Sequence, residues 1–157
     1  NYRSSAFPLT PDNYATIRAE MRSRLADNGR PMRLGRKLVL VVPPQLEAQG
    51  KRILQNDYVA MVAVAATAAA TETNPNKGTA ELLVVPDLAL DATTWYLIDV
   101  GFTVMPFALV ERSAPQFTML ASPTDANVFS KDQILFGVRA RREMGPLMAQ
   151  LCYKCVG

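Results

Sequence analysis

Two apolar runs end on the same four residues, Leu40-Val41-Val42-Pro43 and Leu83-Val84-Val85-Pro86. Consecutive branched aliphatics suit a strand covered on both faces, and a closing proline removes the N–H that would extend the ladder. Both runs therefore predict core strands. Lys37-Leu38 precedes one and Ala80-Glu81 the other, so they are converged strand ends and not a repeat.

Around these strands the pattern changes period. Tyr14, Ile17, Met21 and Leu25 recur at spacings of three and four, which predicts an amphipathic helix over Pro11 to Asp27. Thr10 caps it, Pro11 sits where a missing N–H is harmless, Asp12 complements the helix dipole, and Asn28-Gly29 ends it. Lys37 to Val42 is the first core strand. Pro43-Pro44 opens a second helix with its body at Gln45 to Leu54 and with Leu46, Ile53 and Leu54 inward. From Asn56 to Lys77 the signal weakens into a long, partly extended excursion, closed by the turn Thr73-Asn74-Pro75-Asn76-Lys77-Gly78. Strands then follow at Thr79 to Val85, Trp95 to Val100, Pro106 to Arg112, Gln116 to Leu120, Gln133 to Arg142 and Leu147 to Tyr153. In Gln133 to Arg142, one face is apolar and the other becomes basic. The expected fold class is α+β, helices early and sheet late, in a single compact unit.

At 157 residues the chain is long enough to bury roughly 70% of its unfolded surface without staples. The apolar fraction of 49% and charged fraction of 20% are ordinary globular values. The net charge of +3 is dispersed except at Arg139, Arg141 and Arg142 and at Arg36-Lys37, too little for specific nucleic-acid binding. No window nears the ~20 apolar residues of a spanning helix, so no membrane partner is expected. The chain starts on Asn1 with no leader pattern, which suggests a piece of something longer. Two cysteines are too few for a disulfide scaffold, so packing in a reducing compartment must supply the core.

Histidine is absent, which removes the commonest general base, the Ser-His and Cys-His nucleophile pairs and most zinc sites. Cys152-Tyr153-Lys154-Cys155 has the C-x-x-C spacing but no following helix, so it reads as two thiols on a terminal strand. Asp87, Asp91, Asp99 and Glu111 have no spacing that converges them and read as solvated strand ends. Glycines are scattered singly, with no phosphate loop. Trp95-Tyr96 reads as core. No catalytic, cofactor-binding or metal-binding residue is assigned.

Read in order, Leu38-Val39-Leu40-Val41-Val42-Pro43-Pro44 with Leu46-Glu47, then Asn74-Pro75 and Gly78 to Pro86, then Trp95-Tyr96-Leu97-Ile98-Asp99, resemble the Mu-like phage major head subunit family. Pro106-Phe107, Glu111-Arg112, Pro115-Gln116-Phe117, Val128-Phe129 and Phe136 to Arg141 before Gly145 continue the pattern in the same order. The resemblance covers nearly the whole chain from Leu9. No single piece is specific, and the ordered series carries the match.

The resemblance implies a fragment of the tailed-phage major capsid fold, matching the family's C-terminal half. Residues from about 10 to 125 would be axial domain, a central sheet flanked by helices, and residues from about 126 to 157 would be strands returning to the peripheral domain. The family's N-terminal arm, extended loop and spine helix would not be in this segment. It further implies a structural subunit, not an enzyme, that assembles with itself into capsomers of an icosahedral shell. That shell is part of the virion and is built in the host bacterial cytoplasm. Scaffold, protease and portal would be further partners, and contact with packaged DNA would be nonspecific. Arg18, Arg22, Arg24, Arg112, Arg139 and Arg141 are the candidate inter-subunit contacts, selecting neighbours by charge. Two competing readings are a small ligand-binding or enzymatic domain using Cys152, Cys155 or the aspartates, and a nucleic-acid adaptor built on Arg139 to Arg142.

Overall fold

Thr10 starts the first helix as its place before Pro11 predicts. In the computed structural model, which describes residues 2–3, 7–60, 71–122, 124 and 126–157, the Asn13 N–H donates to Thr10 Oγ1 at 3.2 Å. Helix α1, Pro11–Ser23, buries Tyr14, Ile17 and Met21. It stops a turn earlier than expected, because Arg24 adopts extended backbone. The Met32 N–H then donates to Arg24 O at 3.0 Å and the Ala26 N–H to Arg30 O at 2.8 Å. Asn28-Gly29 is thus the tip of a small backbone hairpin, with Gly29 at φ 75°, and not a helix cap. Leu25, expected inward, is 57% exposed.

In chain order the strands are β1 (Tyr2–Arg3), β2 (Leu38–Val42), β3 (Tyr58–Ala60), β4 (Thr71–Thr73), β5 (Ala80–Val84), β6 (Thr94–Asp99), β7 (Phe107–Leu120), β8 (Leu135–Pro146) and β9 (Cys152–Val156), with two further helices, α2 (Glu47–Leu54) and α3 (Ala126–Lys131). Five strands form one sheet in the order β1-β9-β6-β2-β5. β2 runs parallel to β5 and antiparallel to β6. The first Leu-Val-Val-Pro run is a core strand, with Leu40 to Pro43 buried. The second is not. β5 is an edge strand that turns Ala80, Leu82 and Val84 half inward and leaves Leu83 50% exposed. Its covered face meets α2 closely, since a Cβ on Gly50 would lie 2.7 Å from Leu82 Cδ1.

Pro44 opens a short 3-10 turn that runs into α2, as the diproline suggested. Buried Asn74 ties off the far end of this helix, donating to Ile53 O at 2.8 Å and Asn56 O at 2.9 Å and accepting from the Asn76 N–H at 3.0 Å. One amide thereby satisfies orphan carbonyls and fixes the 73–78 turn. β3 and β4 pair antiparallel at the two ends of the expected excursion, whose middle, residues 61–70, lies outside the described residues.

Ala114-Pro115 does not separate two strands. β7 is continuous through it, and the pairing with β8 shifts register between Glu111 and Ser113 and again between Ser113 and Gln116. Proline here costs a ladder bond and makes a bulge. β8 starts and ends later than the alternation indicated. Residues 126–131, unassigned from periodicity, form α3, and the final strand is displaced to β9 by a 3-10 turn at Ala149–Leu151.

Contacts divide the chain at Pro106 and Leu147, where the expectation had a single unit with an internal boundary near residue 126. One unit holds the residues up to Pro106 together with Leu147–Gly157, and the other is Phe107–Pro146. The first contains the core of Tyr14, Ile17, Met21, Leu38, Leu40, Trp95, Leu97, Leu151, Tyr153 and neighbours. The second is the β7–β8 hairpin with α3, and nearly all its described side chains are exposed.

Asp99, expected as a solvated strand end, is instead fully buried at the end of β6 because its carboxylate accepts from the backbone N–H groups of Gly35 at 2.5 Å, Gly101 at 2.8 Å and Lys37 at 3.4 Å. Its carboxylate binds the loop before β2 to the loop after β6. Asp99→Ala leaves those donors without an acceptor and is expected to cost about 2–4 kcal/mol in urea unfolding, against under about 0.5 kcal/mol for exposed Asp87→Ala. Equal midpoints for the two variants would remove Asp99 from this role.

Candidate functional site

The residues that suggested chemistry are not brought together. Cys152 and Cys155 are three apart on β9, so strand alternation turns them to opposite faces. Cys155 is fully buried, and neither is in a disulfide. Burial pushes the Cys152 thiol up from its ordinary value, which lowers the thiolate fraction that metal binding or disulfide exchange would need. Asp87 and Asp91 are exposed in the loop after β5, Asp99 is committed to backbone N–H groups, and Glu111 lies on β7. Among the described residues no group of three His, Cys, Asp or Glu side chains is placed to hold a metal ion. Trp95 is core, with its indole N–H donating to Phe7 O at 3.0 Å. A cleft of about 220 Å³ between the start of α1 and α2 is lined by Leu9, Thr10, Pro11, Gln49, Arg52 and Ile53. Its one hydroxyl, Thr10, caps α1, and no general base lines it.

What the structure does build is surface. On α1, Arg18 and Arg22 flank Ala15 and Ala19 around a shallow groove of about 110 Å³. Arg24 points elsewhere, its guanidinium 5.0 Å from the Tyr153 ring centroid. Tyr14, on the buried side of the same helix, shares a 2.8 Å hydrogen bond with Thr79. Burial raises its phenol above the ordinary value, against the pull of that bond and of the Arg18 charge.

In the hairpin unit, Arg139 pairs with Gln116 and Arg141 with Ser113. Alternation along β8 puts these two arginines on one face and Phe136, Val138, Ala140 and Arg142 on the other. The two-faced character read from the sequence holds, but beside the register shifts Arg112, Arg141 and Arg142 come together with Glu143 around an open cavity of about 530 Å³. Across the ladder Phe117 and Met119 join the apolar face, and the Phe117 and Phe136 rings stack with centroids 5.8 Å apart. These two rings are 65% and 64% exposed.

A larger charge pattern escaped the residue-by-residue reading. Residues 18–37 hold seven of the 17 Lys and Arg against two of the 14 Asp and Glu, whereas residues 78–111 hold five Asp and Glu and no Lys or Arg. A running charge count would have exposed it, where the small net charge conceals it.

A profile of the family described as Mu-like prophage major head subunit gpT matches residues 1–88 and 89–156. The chain belongs to that family. The Mu-like prophage FluMu major head subunit of Haemophilus influenzae is 31% identical over 67 residues, which is 43% of this chain and 22% of that protein. A chain of the bacteriophage JBD30 procapsid superposes on 92% of this chain and 38% of its own length, with 20% identity and a TM-score of 0.37. The chain therefore spans well under half of the relatives it matches.

The cysteine geometry is checked by alkylation. In the native chain, iodoacetamide should modify Cys152 more slowly than a free thiol at pH 8, with the rate still rising above the ordinary thiol midpoint near about 9, while Cys155 reacts only on unfolding. Mass spectrometry showing both modified at the free-thiol rate would contradict it.

Proposed function

We propose that the chain is part of a structural subunit of a phage or prophage head, one that assembles with itself into capsomers of an icosahedral shell around DNA, and that it has no enzymatic role. The observation that carries this reading beyond family membership is the hairpin unit. An isolated two-stranded ladder is marginal in water, yet this one bears an exposed face of Phe117, Met119, Phe136 and Val138. Exposed apolar area of this kind marks a protein contact. Shell subunits need such contacts on several sides, and a pocket-based activity needs none.

The resemblance put residues from about 10 to 125 in the axial domain and from about 126 to 157 in the peripheral domain; following the division at Pro106 and Leu147, this reading instead takes the five-stranded sheet with α1 and α2 as axial-domain material and the β7–β8 hairpin as peripheral. The arm, extended loop and spine helix belong to the family length that this chain does not span. Scaffold, protease and portal are the partners of assembly, which takes place in the host bacterial cytoplasm, and the product is the virion shell. Arg18, Arg22, Arg24, Arg112, Arg139 and Arg141 serve as contacts that select neighbours, and any DNA contact is nonspecific and salt-sensitive.

Expression of the complete reading frame that encodes this chain should give shells or capsomer rings by electron microscopy and sedimentation. A strictly monomeric product with a turnover activity would overturn the reading. Within that assay, Phe117→Ser with Phe136→Ser should reduce shell yield at least about tenfold, the size expected for interface anchors. The fluorescence of Trp95, the one tryptophan, should stay that of the folded sheet unit. Full shell yield from the double variant would show that the hairpin face is not a contact.

A further inference from the structure

The groove on α1 and the loop after β5 are complementary in charge. The groove is lined by two alanines, Ala15 and Ala19, and by Arg18 and Arg22. The loop runs through a 3-10 turn at Pro86–Leu90 and presents Leu90 fully exposed, at 101%, between exposed Asp87 and Asp91. Among the described residues none of these four charged side chains has an ion-pair partner of opposite sign within the chain. Each surface is the extreme of the chain's charge asymmetry, one inside the basic stretch 18–37 and the other inside the stretch 78–111 that has no Lys or Arg.

The two surfaces sit at opposite ends of the parallel β2–β5 pair. α1 is tied to the end where these strands begin: Asn76 Nδ2 donates to Pro11 O at 3.4 Å, Tyr14 bonds Thr79 just before β5, and Arg22 lies over Gly35 just before β2, its Cγ 2.8 Å from where a Cβ would stand. The acidic loop is tied to the end where they finish. There the Val85 N–H donates to Val42 O at 3.0 Å and Gln45 Nε2 donates to Ala89 O at 3.2 Å. The strands between are five residues long, about 16 Å at the usual rise. One copy's loop therefore stays away from its own groove, and both surfaces are open to another copy.

We propose that the occupant of the α1 groove is the Asp87–Leu90–Asp91 loop of a second copy of this chain, with Leu90 seated against Ala15 and Ala19 and the aspartates paired with Arg18 and Arg22. The contact joins two different patches, so it is heterologous and propagates head to tail, closing into a ring when the rotation permits. It rests on the reading of the chain as a shell subunit and adds which surfaces meet. Apolar seating supplies the attraction, and the flanking charges fix register and orientation, excluding groove-to-groove and loop-to-loop encounters.

A charge exchange tests the pairing. Two double variants of the 157-residue chain are made, Arg18→Asp with Arg22→Asp, and Asp87→Arg with Asp91→Arg, and followed by sedimentation velocity at about 20 mM and about 500 mM salt. The wild-type chain should self-associate at low salt and dissociate at high salt. Each variant alone should associate at least about tenfold more weakly, because its groove and loop then carry the same sign. Mixed in equal amounts, the variants should recover association to within about threefold of wild type, since each groove again meets a loop of opposite sign. Leu90→Ser should weaken association with the Trp95 emission unchanged. A mixture no tighter than either variant alone, or a wild-type chain that stays monomeric at both salts, would overturn the contact. Normal shells from the complete reading frame carrying Arg18→Asp and Arg22→Asp would also overturn it while leaving the head-subunit reading intact. No shells from the wild-type frame would take down both.

Discussion

One carbonyl closes the sheet unit. Pro106 O accepts from the N–H groups of Leu147 at 2.9 Å and Met148 at 3.4 Å, so the chain leaves for the hairpin unit and returns to it at the same point. Only after that return can β9 pair with β6, and only then is β6 flanked on both sides, by β9 and β2. Trp95 and Leu97 on β6 and Tyr153 and Cys155 on β9 are core residues. A buried side chain of this size contributes about 1.5–3 kcal/mol. Much of the core thus depends on a strand separated from its partner by the whole of residues 107–146. Asp99 serves the same closure from the other side, holding the loops at Gly35 and Gly101 to the end of β6.

Local signals were legible where one residue decides the backbone. Thr10-Pro11-Asp12 marked the start of α1, the diproline opened the turn into α2, and the Asn74-Pro75 turn fell where expected. Signals that depend on neighbours were not. The two Leu-Val-Val-Pro runs are the same in sequence, yet the first is central and the second is an edge, because only topology says which strand has a partner on each side. Asn28-Gly29 serves a helix cap or a hairpin tip equally well. Ala114-Pro115 is a turn signal by composition, but pairing with β8 on either side carries the strand through it as a bulge.

Function was legible mainly as what the chain lacks and as an ordered series of strand motifs. Histidine is absent from the sequence, and among the described residues the cysteines and aspartates are scattered and no three His, Cys, Asp or Glu side chains are placed to hold a metal ion. The structure sorts the candidate arginines: Arg18 and Arg22 share a groove, Arg24 lies against Tyr153, Arg112 and Arg141 line one cavity of the hairpin unit, and Arg139 lies two residues further back along β8. Asp87 and Asp91 read from the sequence as solvated ends, because no metal spacing joins them. Their meaning depends on Leu90 between them, whose full exposure no periodicity reveals.

The sheet unit keeps a closed core, while the hairpin's apolar face, the α1 groove and the 86–91 loop are exposed and are the surfaces proposed to meet other subunits. Hydrogen exchange, compared between assembled particles and dissociated subunits of the complete protein, tests this most directly. Protection gained on assembly should concentrate in β7 and β8, in residues 15–22 and in residues 86–91, with the amides of β2 and β6 already slow in both states. Protection unchanged in those segments, or gained only at the cleft between α1 and α2, would contradict it.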